Sequence, residues 1–437
     1  MPRPRRHPPL RVLLNGRLVG FLEKSAAGAI RFRYDASWLG WEHALPVSLS
    51  LPLREDAYHG EAVAAVFENL LPDAEVLRGR VAQRVGAAGT DAYSLLAAIG
   101  HDCVGALQFS LSDAQESEPA GGIQGEPVDE RGIEELLGGL AQAPLGLGSD
   151  EAFRISIAGA QEKTALLWHK GRWFKPHGST PTTHILKPAI GQLPNGLDLS
   201  DSVENEFYCL RLLAAFGMPV ARAEIGRFGG ARALVVERFD RHWARDGRLL
   251  RLPQEDCCQA LGVPPSRKYQ SEGGPGLVDV LGLLRGSDTP GADQATVLKA
   301  QILFWLIGAT DGHAKNFSVF LQPGGGYRLT PLYDVLTILP SVASRQVERK
   351  QVRLALAVGR RNHYRVDGIQ GRHFLETGAS ARLPAAMVHE VLASVVLQAA
   401  SALDRVEYEL PAGFPAGIHD AVRRSVEAGI QSLERVL

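Results

Sequence analysis

The period of the apolar residues switches along this chain, and the switch restricts the fold more than any one motif does. Runs that alternate apolar with polar residues, the pattern of a strand buried on one face, recur as far as Glu237. From Glu255 onward the apolar positions return at helical spacing, most densely over 297–309, then over 385–403 and 418–437. A chain of 437 residues patterned this way has apolar surface for more than one core. Its strands and helices are largely segregated, which predicts an α+β architecture with a mainly helical C-terminal part.

Within the first part, Asn15-Gly16 stands between two apolar runs and predicts a tight hairpin. Alternation continues at Ile30, Phe32 and Tyr34, and again at Val47, Leu49, Leu51 and Leu53, predicting two more strands. Between Ala62 and Ile99 the spacing turns helical, with Val66, Leu70, Leu71, Val76, Leu77, Val81 and Val85 in interrupted stripes. Residues 1–112 therefore read as one α+β domain. The stretch 113–127 is polar, rich in Gly and Pro and too poor in apolar groups to offset its own ordering entropy, so it reads as a linker or long loop, with the boundary drawn at 113–133. A short helical segment follows near 133–140. Strands are predicted at 154–157, 164–168, 173–175, 183–187 and 233–237, with a helix over 202–216 capped in front by Asp201. These elements define a second body at 134–240 and leave 241–437 as the helical one.

Lys and Arg number 47 against 48 Asp and Glu, so no global field draws a polyanion and any nucleic-acid contact must be local or supplied by a partner. The four cysteines, Cys103, Cys209, Cys257 and Cys258, form no CxxC pair and suit a reducing compartment. No uninterrupted apolar run of membrane-spanning length occurs, and residues 1–9 lack the apolar core of a secretory leader. A soluble, cytoplasmic protein with no membrane partner is expected.

The most informative segment is Ile307-Gly308-Ala309-Thr310-Asp311-Gly312-His313-Ala314-Lys315-Asn316-Phe317, followed by Pro331-Leu332-Tyr333-Asp334-Val335. Phosphoryl transfer from ATP needs a carboxylate near the attacking hydroxyl, and an amide oxygen with a second carboxylate to hold Mg²⁺. Asp-x4-Asn and a later Asp is the arrangement of a kinase catalytic loop. Upstream, Ser156-Ile157-Ala158-Gly159-Ala160-Gln161-Glu162-Lys163-Thr164 joins two expected strands with small residues that let backbone amides approach phosphates. It is not a Walker loop, because Glu162 stands where that motif requires Gly and a strand follows where a helix should. Lys187 ends a strand where its ammonium could meet the α- and β-phosphates; Glu204 and Glu206 could either pair with it or simply favour the positive end of their helix, and the sequence does not choose between them. Glu237-Arg238-Phe239-Asp240 leaves a strand where a backbone could read an adenine edge.

Taken in order, these blocks resemble the HipA family, the serine/threonine kinase toxins of bacterial toxin–antitoxin pairs. The resemblance adds Arg251-Leu-Pro-Gln-Glu-Asp256, Lys268-Tyr269, Gly273-Gly-Pro-Gly276 and, near the N-terminus, Leu14-Asn-Gly-Arg17, Leu49-Ser-Leu-Pro-Leu53 and Phe67-Glu-Asn-Leu-Leu-Pro72. It implies a two-lobed fold, protein-kinase-like or phosphoinositide-kinase-like, with an accessory domain at 1–112, an N-lobe at 134–240, a helical C-lobe at 241–437 and ATP in the cleft between lobes. Asp311 would be the catalytic carboxylate, and Asn316 and Asp334 would bind Mg²⁺. Ala158, Gly159, Ala160, Gln161, Glu162 and Lys163 would cover the ATP phosphates and Lys187 would hold them. Glu237, Arg238 and Phe239 would form the adenine hinge, and His313, Ala314, Lys315, Asn316 and Tyr333 would complete the nucleotide site. Val335-Leu336 follows Asp334 in place of Phe-Gly, so the activation switch of ordinary protein kinases is not implied.

The family's autophosphorylation serine maps to Ser156, where a phosphate would repel the nucleotide and silence the enzyme. The resemblance also implies a cytoplasmic protein substrate, an aminoacyl-tRNA synthetase such as the glutamyl enzyme, whose modification inhibits translation and promotes growth arrest and persistence. It implies a dimeric helix-turn-helix antitoxin, HipB, that inhibits the kinase and carries most of the contact with operator DNA. The family's own short DNA-contacting stretch reads Ala379-Ser380-Ala381-Arg382 here and keeps only Arg382 as a basic residue, with Arg360-Arg361 and the Arg3, Arg5 and Arg6 tail as substitutes. The alternative is a weakly active nucleotide-binding corepressor acting with the antitoxin; intact Asp311, Asn316, Asp334 and Lys187 argue against it. A small-molecule or lipid kinase is a third reading, suggested by the Asp-x-His-x-x-Asn pattern around His313.

Overall fold

The computed structural model describes residues 7–111, 123–147, 153–159 and 161–437. It divides into two compact units, one of Met1–Pro188, Gly226–Ser266 and Val319–Gly326, the other of Ala189–Ile225, Arg267–Ser318 and Tyr327–Leu437. The architecture is α+β, as the change of period requires.

The first unit opens with a five-stranded sheet in the order Tyr58–His59, Ile30–Tyr34, Arg17–Lys24, Leu10–Leu14, Leu107–Ser110. Asn15 and Gly16 both adopt positive φ, 48° and 82°, the pair of left-handed residues that a type I′ turn needs to match the twist of its flanking strands. Leu10, Val12, Leu22, Phe32 and Phe109 are fully buried on the inner face. The helices Glu61–Glu68, Glu75–Val85 and Ala92–Ile99 follow where the spacing predicts them. Val76, assigned to their apolar stripe, is 77% exposed, while its neighbour Leu77 carries the contact.

The strand predicted over 47–53 is absent: apart from its burial pattern the segment is irregular. Pro46 and Pro52 bracket it, and side chains satisfy its backbone in place of a ladder. Val47 N–H donates to the Tyr34 hydroxyl at 2.9 Å, Leu49 N–H to Glu255 Oε1 at 2.7 Å, and the Tyr34 hydroxyl to the Leu51 carbonyl. Alternation there reports one buried face of an extended coil.

A second sheet of six strands runs Ala223–Phe228, Ala231–Glu237, His184–Pro188, Thr164–His169, Arg172–Pro176, Gly125–Val128, with Gly226–Phe228 the part of its first strand that belongs to this unit. One face is covered by the helix Glu130–Gly138, whose N-cap Asp129 accepts from Gly132 N–H; Ile133 and Leu137 pack on Leu166, Leu186, Phe228 and Val235. The edge strand Gly125–Val128 corrects the loop reading of 113–127. It pairs with Arg172–Pro176 and lays Val128 against the core, so tertiary packing orders a segment that composition alone could not. Residues 113–122 of that reading lie outside the described residues, as do Arg3, Arg5 and Arg6. No strand forms at 154–157 either. Ser156 N–H bonds the Asp102 carbonyl at 2.9 Å rather than a neighbouring strand.

The second unit is mainly helical, built on Ser202–Ala215, Leu277–Leu284, Pro290–Ile307, Gly371–Ser380, Ala385–Glu409 and Ala416–Glu434, with a hairpin of Arg353–Val358 and His363–Arg365. Pro290–Ile307 is buried almost continuously from Val297 to Ile307, which makes it the centre of the packing. Asp201 occupies the N-cap of Ser202–Ala215, but its side chain makes no capping bond. Among the described residues one helix, Ala385–Glu409, is long and apolar enough to cross a membrane, with mean hydropathy 1.5 over its most apolar window. Its residues Val388, Val391, Leu392, Val395, Ala402, Leu403 and Val406 are buried within this unit, the pattern of a core helix. None of the four cysteines forms a disulfide, and all four are buried.

Candidate active site

The second unit carries the acid–amide–acid set. Pro290–Ile307 ends because Gly308 turns left-handed, φ 62°, and its N–H caps the Phe304 and Trp305 carbonyls. The chain then folds on itself at the polar segment. Two donors converge on the Asp311 carbonyl: His313 N–H at 2.8 Å and Asn316 Nδ2 at 2.7 Å. The single helical turn Ala314–Asn316 places Asn316 there. Because the Asn316 amide nitrogen is committed to backbone, its oxygen is the atom left to face a cation. Asp334 is held at φ 59°, a conformation unfavourable for a residue with a Cβ, which marks a position set by function or packing rather than local preference.

Asp311, Gly312, Asn316, Tyr333 and Asp334 line one small cleft, floored by Phe304, Ala309, Val335 and Leu336. Its cavity volume of about 10 Å³ is far below the roughly 300–1,000 Å³ of sites that enclose a whole small ligand. Asp311 is about half exposed in its side chain, whereas His313 is buried, its Nε2 3.8 Å from Asp311 Oδ1. The Tyr269 hydroxyl donates to Asp311 Oδ1 at 2.6 Å, and its ring meets the His313 ring edge-on at 5.0 Å. Tyr333 donates to the Lys315 carbonyl at 2.9 Å while Ser318 Oγ bonds the Tyr333 hydroxyl. That chain ties the strand after the Ala314–Asn316 turn to the residue before Asp334. Ala314, Lys315 and Asn316 are buried.

The donor set fits Mg²⁺. One carboxylate oxygen and one amide oxygen are hard ligands, and that ion commonly takes few protein oxygens and completes its shell with water and phosphate. No cluster of three His, Cys, Asp or Glu suited to a metal occurs among the described residues.

The first unit holds the remaining sequence-predicted residues. Gly159 has φ 109°, and a Cβ there would lie 2.5 Å from Lys163 Nζ, so the turn requires glycine. Lys163 donates to the Ala158 carbonyl at 3.0 Å and Gln161 Nε2 to the Pro188 carbonyl at 3.0 Å, tying the turn to the end of the Lys187 strand. Glu162 pairs with Arg80 at 3.2 Å. Ala160 lies outside the described residues. Lys187 is buried at strand position opposite Leu234. Ser156 is fully buried, and its hydroxyl donates to the Leu70 carbonyl at 2.7 Å.

At the expected hinge, Glu237 is exposed and ends its strand opposite His184, and Phe239 packs edge-on against Phe320 at 5.9 Å. Arg238 differs from a hinge residue with a free backbone: its N–H is taken by the Thr183 carbonyl at 2.8 Å and its side chain is buried. That guanidinium enters a network that sequence reading missed. Asp102 receives Arg238, Arg241 and Arg251 at 3.3, 2.8 and 2.8 Å, and also the Thr182 N–H and hydroxyl; Asp240 receives Arg238 and Arg241. Burial alone would raise the Asp102 carboxyl, yet Arg241, Arg251 and Arg238 outweigh it and hold it well below the usual carboxylate range. Burial and the like charge of Arg238 push Arg241 down to about 10. The signal was present as the charged blocks 236–241 and 251–256, but nothing local says that they share one carboxylate at position 102.

In the second unit, Glu204 and Glu206 are both buried in the first turns of Ser202–Ala215, so neither is a simple solvated helix-end charge. Arg382, at φ 57° just beyond Gly371–Ser380, is exposed.

Residues 155–403 match the model of a HipA-like C-terminal domain and residues 10–110 that of a HipA N-terminal domain. A Sinorhizobium fredii protein designated a kinase, Y4mE, is 40% identical over 353 residues, 80% of this chain and 82% of its own length. The Shewanella oneidensis serine/threonine-protein kinase toxin HipA is 29% identical over 343 residues, 75% of each chain. A solved chain from the Shewanella oneidensis complex of HipA, HipB and operator DNA superposes with TM-score 0.78 at 25% identity, covering 98% of this chain and 99% of that one.

Proposed function

Because this chain belongs to the HipA family, whose members include kinases, we propose that it is an ATP-dependent serine/threonine-protein kinase that transfers the γ-phosphoryl group to a cytoplasmic protein. The observation that carries the reading is the sharing of one cleft by Asp311, Asn316 and Asp334. Asp311 accepts or orients the substrate hydroxyl proton, with its carboxylate aimed by Tyr269. The Asn316 amide oxygen and the Asp334 carboxylate hold Mg²⁺, which when bound neutralises charge on the transferring phosphoryl group. His313, Ala314, Lys315 and Tyr333 shape the turn that presents Asn316. On the first unit, Ala158, Gly159, Ala160, Gln161, Glu162 and Lys163 cover the phosphates, Lys187 grips them, and Glu237, Arg238 and Phe239 border the adenine. We keep the division into 1–112, 134–240 and 241–437 as part of this proposal.

The substrate we propose is an aminoacyl-tRNA synthetase, such as the glutamyl enzyme, whose modification arrests translation and growth and favours persistence. A HipB-like helix-turn-helix antitoxin is the proposed inhibitory partner, with operator DNA reached mainly through it and Arg382 at most a minor contact. Ser156 is the proposed autophosphorylation site, and its burial means that the segment 153–159 must leave the Leu70 carbonyl before phosphate can be added. Incubation with radiolabelled ATP and Mg²⁺ tests the reading. Label should appear on a synthetase or on the chain itself, and Asp311→Asn and Asp334→Ala should each abolish it; transfer undiminished in both variants would overturn the assignment.

A further inference from the structure

A second site lies on the hairpin of the helical unit, well along the chain from the catalytic turn. The segment 345–372 holds eight Lys and Arg against two Asp and Glu, so it carries +6 while the whole chain is −1. All eight basic side chains are exposed: Arg345, Arg349, Lys350, Arg353, Arg360, Arg361, Arg365 and Arg372. The acids there are already engaged, Glu348 by Lys350 and Asp367 by Arg365, each at 2.7 Å, and the nearby Glu376 accepts from Arg360 N–H.

The hairpin places like charges in register. Arg353 is the direct cross-strand partner of Arg365, a like-charge pairing that costs stability and is offset at Arg365 by Asp367. Together with Asn362, His363, Tyr364 and Asp367 they line an open concavity of about 450 Å³. The Arg353 guanidinium sits 5.6 Å from the Tyr364 ring centroid, and His363 is braced by stacking on His373 at 3.9 Å. A polyanion gains from the arginines alone, but the adjoining aromatic rings are useful only to a partner with flat, unpaired rings of its own. A base stacked on Tyr364 puts its phosphate beside Arg353 and Arg365, the combination of stacking platform and cationic groove that binds single strands.

We propose that this concavity, lined by Arg353, Arg365 and Tyr364 and flanked by Arg360 and Arg361 on the hairpin turn that leads into it, binds an unpaired stretch of nucleic acid. Its lining residues are distinct from those of the cleft at Asp311. The test is fluorescence anisotropy of the full chain with a labelled single-stranded oligonucleotide of about 12 nucleotides, as RNA and as DNA, against the matched duplex and against polyglutamate of equal charge.

Four phosphate contacts predict a slope of log affinity against log salt of about −2.8, reduced to about −1.4 in Arg353→Gln/Arg365→Gln and likewise in Arg360→Gln/Arg361→Gln. Tyr364→Ala should weaken single-strand binding about tenfold, and Tyr364→Phe should preserve it. Unchanged thermal melting and unchanged labelling by ATP show that each variant is folded. Unaltered slopes in the double variants, duplex binding as tight as the single strand, or polyglutamate binding equally well would each overturn the proposal.

Discussion

Replacing Asp102 by Asn removes one charge at constant shape, and the structure says which groups are stranded. Three guanidiniums and two carboxylates share this buried network, all with side chains at most 5% exposed. Its net charge of +1 is solvated by the carbonyls of Cys103, Gly105, Ser179 and Thr182. Asp102→Asn raises that to +2 and leaves Arg251 with no carboxylate among its described ion pairs. Breaking a buried pair from one side costs about 3–5 kcal/mol, because the remaining charge stays desolvated. For a body of this size that lowers the unfolding midpoint by roughly 6–20 °C. Thermal unfolding followed by tryptophan fluorescence measures it, with limited proteolysis to show that the first unit is the part released. The sign with pH follows from the depressed carboxyl. The stabilisation is complete above the unfolded value of 3.8 and is lost only as pH falls through the lower folded value, so wild type and variant should differ at pH 7 and converge in acid. A midpoint shift below about 1 °C at pH 7 would mean that the arginines are solvated by water and carbonyls alone, and the reasoning fails.

Three further outcomes are expected. Tyr269→Phe removes a hydrogen bond to a carboxylate at 2.6 Å, worth about 1.5–3 kcal/mol, so kcat should fall about tenfold or more with nucleotide KM unchanged; steady-state kinetics on the phosphorylated protein checks it. Burial pushes Glu255 up to about 8 from 4.5, so the folded state keeps a proton that the unfolded chain releases, and stability should fall as pH rises through that window. Glu255→Gln should flatten that slope in melting curves taken across the same range. Gly308→Ala forces a Cβ into left-handed backbone and within 2.9 Å of Leu339 Cγ, which should cost about 1–3 kcal/mol and register as a lower midpoint in chemical denaturation.

Local pattern determined much of this molecule. Asn15-Gly16 could close only a tight turn because two consecutive residues must take positive φ, and the apolar density of 297–309 could be satisfied only by a helix buried nearly all round. The residues Asp311, Asn316 and Asp334 could likewise be singled out from their spacing, and the structure brings the three to one cleft. Tertiary structure decided the rest, wherever a backbone or a charge found its partner far along the chain. The alternation at Val47, Leu49 and Leu51 looks like a strand until the Tyr34 hydroxyl and Glu255 take the hydrogen bonds a ladder would have used. Gly125–Val128 becomes a strand only because Arg172–Pro176 offers it an edge. Asp102, unremarkable in its own neighbourhood, became the anchor of three arginines 136 to 149 residues away. Periodicity reports which face of a segment is buried, whereas the partner that satisfies each polar group is a property of the folded chain.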